Sequence, residues 1–170
     1  PVEADLVTGV PDSGLAAAMG YAQACGLPFA LHFTKTAMWE EFHQTHPKGA
    51  AAAVHLKLSV LSSVVKGKRL VLIDDSIVRG TTMASLIRML KDAGATEVHV
   101  RISSPPFLFP CYYGTDVPSN DQLIASSHTA AEICASIGAD SLGYMKLEDL
   151  KQMTGDLPLC KACFDSHYPV

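Results

Sequence analysis

Residues 69–82, RLVLIDDSIVRGTT, decide how the rest of the chain is read. Leu70-Val71-Leu72-Ile73 is a short apolar run rich in β-branched residues, the pattern of a strand buried on both faces of a parallel sheet. It stops at two carboxylates, Asp74 and Asp75, placed at the strand's carboxyl end, where open α/β sheets bind their ligands. Ser76, Arg79, Gly80, Thr81 and Thr82 follow. Residues 83–93 then carry apolar side chains at Met83, Leu86, Ile87 and Leu90, a helical spacing. A helix starting at Thr81 or Thr82 aims unsatisfied N–H groups and its positive dipole end at the loop. Gly80 permits close backbone approach there, and the hydroxyls can cap the helix or bind an anion. Acids beside an anion cradle suit a sugar phosphate, with carboxylates for ribose hydroxyls or Mg²⁺ and amides for phosphate. An isolated Asp pair would be read as an ordinary strand end capping a helix.

The whole string is more specific than that. It closely resembles the phosphoribosyl-pyrophosphate (PRPP) signature of the type I phosphoribosyltransferases, and the form DDSIVRGTT is most similar to that of the glutamine PRPP amidotransferases of purine synthesis.

The bulk composition is compatible. At 170 residues the chain has room for one α/β domain with a sizeable core, and 48% hydrophobic against 18% charged residues is a globular balance. A formal net charge of −4 argues against nucleic acid and anionic membranes as partners. No run approaches the ~20 apolar residues of a membrane span. With no signal segment visible, a cytoplasmic location is expected. The opening PVEADLVTGV reads as a strand lead-in without a starting Met, so a longer parent chain is expected.

Taken in order, residues 4–10 read as the first strand, followed by the turn Pro11-Asp12-Ser13-Gly14 and a helix over 16–24 that stops at Gly26. This turn resembles the family's pyrophosphate loop, which implies PRPP contacts at Asp12, Ser13 and Gly14 and Mg²⁺ at Ser13. Residues 29–33, FALHF, read as a second strand with Lys35 just past its end. In the family a Lys there begins a mobile hood over PRPP. The family's hood opens Lys-Asn-Arg-Tyr, whereas this chain continues Thr36-Ala37-Met38-Trp39-Glu40-Glu41, losing cations and gaining anions over a pyrophosphate. Similarity lapses across 36–53, which makes a catalytically impaired PRPP-binding module the alternative reading.

Residues 50–53 are four alanines. His43, His46 and His55 read as surface polar groups in preference to metal ligands, and Lys57 as a solvated side chain. Residues 54–65 show helical spacing up to Gly67. Beyond the signature helix, 97–102 (EVHVRI) reads as a parallel strand, with His99 on a polar-tolerant face near the sheet edge. Ser103-Ser104-Pro105-Pro106 and the aromatic loop FLFPCYYGTD follow. A helix start near Pro118-Ser119, a helix over 129–137 stopped by Gly138, a strand at 141–144 and a final helix at 147–153 complete the reading.

Five cysteines are present, two of them as Cys160-Lys161-Ala162-Cys163 in the tail 156–170. In a reducing compartment such a pair is metal-binding or redox-active more often than a structural disulfide. Cys111, in its proline-bounded loop, is the best third donor, and thiolate clusters favour zinc or iron–sulfur. Cys25 and Cys134 fall on expected helices among apolar residues and read as buried, inert thiols.

The resemblance implies a Rossmann-like, mostly parallel α/β sheet of about five strands, with helices on both faces and the hood after Lys35. It implies a single phosphoribosyltransferase domain over 1–170, with the family's separate glutaminase domain absent from these residues. It further implies attack of glutamine-derived ammonia on Mg-PRPP, giving 5-phosphoribosylamine and pyrophosphate. Asp74, Asp75 and Lys35 would serve the reaction, and Asp74, Asp75 and Ser13 would hold Mg²⁺. Asp12, Ser13, Gly14, Ser76, Val78, Arg79, Gly80, Thr81 and Thr82 would bind PRPP. Cys111, Cys160 and Cys163 would ligate a [4Fe-4S] cluster whose fourth ligand lies outside the chain. Purine nucleotides as feedback inhibitors and a homo-oligomer complete the implied partners.

Overall fold

A computed structural model describes residues 2–35, 58–115, 117, 119–155 and 157–169. The hood 36–53, the three histidines within 36–57 and Lys57 lie outside the described residues. In chain order the elements are β1 (Leu6–Gly9), α1 (Leu15–Cys25), β2 (Phe33–Lys35), β3 (Leu58–Val60), α2 (Ser62–Val65) and β4 (Arg69–Asp74). They continue with α3 (Thr81–Asp92), β5 (Glu97–Ile102), α4 (Ala130–Ile137), β6 (Ser141–Tyr144), α5 (Asp149–Thr154) and α6 (Ala162–Asp165).

The main sheet is parallel, in the order β1-β4-β5-β6, with Leu6 opposite Leu70 and Asp74 opposite Ile102. Leu70 and Leu72, on one face of β4, pack with Val98 and Val100 under the apolar stripe of α3 and under Ile133 and Ile137 of α4. Val71 and Ile73, on the other face, meet Val7 and the small residues Ala18 and Ala22 of α1. Burial on both faces is why β4 reads as an unbroken apolar run. The stripe Met83, Leu86, Ile87 and Leu90 is at most 3% exposed, which stabilises by roughly 2 kcal/mol per side chain. Among the described residues no helix is long and apolar enough to cross a membrane.

Five expectations change. The second strand, 29–33, reaches the main sheet only as a single parallel bridge between Phe29 and Val7. His32 and Phe33 are both buried, their rings 4.3 Å apart, and two consecutive inward side chains cannot alternate across an edge strand. The chain turns off the sheet, so Lys35 ends β2, antiparallel to β3 and opposite Leu58, and does not follow a parallel strand. The helix expected over 54–65 shrinks to α2, because residues 58–60 pair with β2. The helix expected from 118 is two 3₁₀ turns, Asn120–Gln122 and Ile124–Ser126, split by an extended Leu123 whose side chain is buried beside Phe107 and Val117. His99 is near the edge, one strand in beside β6, but its face is not open: the buried ring bonds Ser141 Oγ at 3.0 Å and Glu97 at 2.9 Å. Cys25 is exposed at the end of α1, while Cys134 is half-buried, where desolvation raises its thiol.

Candidate active site at the carboxyl end of the sheet

The two carboxylates at the end of β4 occupy opposite environments. Asp74 is 8% exposed, and its Oδ1 accepts from Ser13 Oγ at 3.2 Å and from the Asp75 N–H at 2.9 Å. Burial pushes its carboxyl up to about 7, and the neighbouring Asp75 charge acts in the same direction. Asp75 is exposed and accepts from Ser76 Oγ at 3.3 Å. The Asp74 carbonyl is held from the other side by the N–H of Ser103 at 2.9 Å and its hydroxyl at 3.2 Å.

Ser13 reaches Asp74 because the first turn is pressed onto β4. Val10 donates its N–H to the Ile73 carbonyl at 2.8 Å, Gly14 donates to the Val10 carbonyl at 2.9 Å, and the Pro11-Asp12 peptide is cis. A Cβ on Gly14 would lie 2.3 Å from the Ile73 oxygen and 3.1 Å from the Asp74 Cα, so only glycine fits. Asp12 and Ser13 are exposed on the outer side of this turn.

The end expected to bind an anion is built by the other half of the signature. Gly80, at φ +81°, turns the chain into α3, and no side chain caps that helix. Its first N–H groups and the exposed Thr81 and Thr82 line an open cavity of about 410 Å³. Asp74, Ser76, Val78 and Arg79 line it too, so the acid end and the helix end share one hollow. Ile77, 3% exposed, anchors the intervening loop in the core. Sequence reasoning missed three lining residues: Ile77, Met83 and Gln122. Ile77 sits inside the recognised string and Met83 directly follows it, but Gln122 comes from a distant 3₁₀ turn and accepts a hydrogen bond from Arg79. Nothing local in the sequence marks it. Lys35 contributes a backbone position at the end of β2.

Two of the candidate cysteines, Cys111 and Cys163, share a separate apolar cluster. Cys111 and Cys163 pack against Phe107, Val117 and Leu123, and the Cys163 carbonyl accepts from the N–H groups of Leu108 at 2.9 Å and Phe109 at 3.0 Å. The backbone N–H groups of Tyr113, Thr115 and Gly114 hold the Cys111 thiol down to about 7. Burial, then the Cys111 and Cys160 charges, push Cys163 up. Among the described residues no three His, Cys, Asp or Glu close on a single ion.

Residues 2–103 match the family model described as phosphoribosyl transferase domain. The chain is 48% identical over 175 residues to the amidophosphoribosyltransferase of Bacillus subtilis, covering 99% of this chain and 37% of that protein. It is 48% identical to the amidophosphoribosyltransferase of Archaeoglobus fulgidus, covering 100% of this chain and 38% of that protein. The solved glutamine PRPP amidotransferase from B. subtilis, complexed with ADP and GMP, matches with a TM-score of 0.86 at 47% identity, covering 99% of this chain and 38% of that one. The chain thus spans little more than a third of the length of these relatives.

Proposed function

This chain belongs to the phosphoribosyl transferase domain family, and on that premise we propose that it carries the PRPP half of an amidophosphoribosyltransferase of purine biosynthesis. The whole reaction would form 5-phosphoribosylamine, pyrophosphate and glutamate from PRPP and glutamine, with ammonia delivered from a glutaminase domain elsewhere in the polypeptide. The observation that carries this reading is the shared hollow, with Asp74 at one end and the uncapped N-terminus of α3 at the other.

Asp74 and Asp75 accept from the ribose hydroxyls and fix the ring, since ionised carboxylates only accept. The amides at the start of α3, with Thr81 and Thr82, take the 5′-phosphate. Ammonia then meets C1 from the open side. The N–C1 bond forms as the C1–O bond to pyrophosphate breaks, and the new amine loses a proton to water. The oxygens of Asp74, Asp75 and Ser13 suit Mg²⁺, which takes one or two carboxylates and fills its shell with substrate phosphates and water. When bound, that ion neutralises the leaving pyrophosphate.

The donor chemistry of Cys111, Cys160 and Cys163 fits three corners of a [4Fe-4S] cluster, with backbone N–H groups already directed at one sulfur. A fourth ligand would come from elsewhere in the polypeptide, and the cluster would tie the tail to the aromatic loop. Feedback by purine nucleotides belongs to the same reading, supported by the ADP and GMP in the B. subtilis structure, and assembly as a homo-oligomer is proposed with it.

The test is pyrophosphate release from PRPP with Mg²⁺ and ammonium. Release that depends on ammonium and disappears in Asp74→Asn is the expected result. PRPP binding without release would sink the reading in favour of a binding module, and release that requires a nucleobase would make the chain a base transferase. No described residue favours the impaired alternative, and the whole chain aligns with relatives named as amidophosphoribosyltransferases.

A further inference from the structure

We infer that Gln122, outside the matched family module of residues 2–103, is a positioning residue for the phosphate end of the site, acting through Arg79. The inference rests on the proposed PRPP reading. Apart from Gln122, every described residue lining the 410 Å³ cavity belongs to the signature and the first turn of its helix. Gln122 enters from the 3₁₀ turn Asn120–Gln122 and accepts from the Arg79 guanidinium. An arginine has donors only, so the amide must present its oxygen.

The same segment grips the loop at two further points. Ile124 donates its N–H to the Val78 carbonyl at 2.9 Å, and a Cβ on Gly80 would come within 3.3 Å of Ile124 Cδ1. Behind it, Leu123 is 1% exposed and packs with Phe107 and Val117, so the brace is backed by core. Arg79, by contrast, is exposed on a long flexible stem, and without a partner its charge would sample many positions. Gln122 holds that cation at the rim of the anion cradle, where a phosphate meets it without an ordering cost.

Two measurements test this on the full chain. Calorimetric titration with PRPP should show binding weakened about tenfold in Gln122→Leu and within threefold of wild type in Gln122→Glu, which keeps an acceptor for Arg79. In an Arg79→Ala background, Gln122→Leu should add nothing. Ammonium-dependent kcat should change far less than KM. Independently of any ligand, hydrogen exchange of the 76–82 amides should quicken in Gln122→Leu and not in Gln122→Glu. Unchanged exchange in Gln122→Leu, or additive losses with Arg79→Ala, overturns the inference. Quickened exchange in a chain whose wild type binds no PRPP leaves the brace standing and removes the proposed function instead.

Discussion

Two buried ionisable side chains, Asp74 and His32, give the molecule opposite sensitivities to pH. Asp74 titrates near 7 in the fold against about 4 when free, so its carboxylate is penalised in the native state. That penalty is absent below pH 4, grows as pH rises to 7 and is full above it. Asn at this position keeps an acceptor for Ser13 and Asp75. In metal-free buffer Asp74→Asn should therefore melt higher than wild type by roughly 10 °C above pH 7, at about 2–4 °C per kcal/mol, with no gain at pH 4. Differential scanning calorimetry at both pH values reads this. A uniform gain would mean that burial of the charge is not the cause. His32 works the other way. It is fully buried, neither ring nitrogen has a partner among the described residues, and burial lowers its pKa to about 4. Its neutral form is favoured in the fold, so stability present above pH 6.5 is lost as pH falls toward 4, by up to about 3 kcal/mol. His32→Leu should flatten that acid limb and also raise stability at pH 7.5, where two unpaired nitrogens cost about 1–3 kcal/mol. An unchanged acid limb in urea titrations would refute this account.

At the scale of elements, the site depends on how closely the turn after β1 approaches the end of β4. Gly14 is the contact point, with a Cβ position 2.3 Å from the Ile73 oxygen. The obstacle is backbone, so Gly14→Ala must lift the turn and separate Ser13 from Asp74. We expect ammonium-dependent turnover to fall by at least tenfold while the circular dichroism of the sheet is kept. Wild-type turnover in this variant would show that the Ser13 contact is dispensable. Most element boundaries were legible in the sequence where local chemistry sets them. Thr129 and Glu132 form a capping box at the start of α4, and Gly138, at φ +74°, ends that helix. The hairpin β2–β3 was not legible, because residues 54–65 satisfy a helical period and only pairing with residues 33–35 makes 58–60 a strand.

For the whole molecule, one small apolar cluster joins two sites that lie far apart in sequence. Val78 of the signature loop and Cys111 and Cys163 of the thiol site pack against the same Phe107, Val117 and Leu123. Whatever ties the cysteines together should therefore also stiffen the anion cradle. Anaerobic reconstitution of the full-length protein with iron and sulfide should give a broad visible absorption that Cys163→Ser abolishes. Hydrogen exchange in residues 76–82 should slow on reconstitution. A colourless, iron-free product would rule out the cluster. Exchange that ignores the metal would sever the link between the sites.

The sequence by itself determined the parallel sheet, the acid pair at its carboxyl edge and the glycine-led start of α3. Those features follow from contiguous residues whose period, size and capping chemistry leave few alternatives. Only the tertiary structure decided that Asp74 is buried while Asp75 stays wet, that Ser13 meets Asp74, that His99 is buried, and that Gln122 lines the hollow at the start of α3. Each of those depends on contacts between residues far apart along the chain, and a linear pattern carries no record of which distant backbone will exclude water from a given side chain.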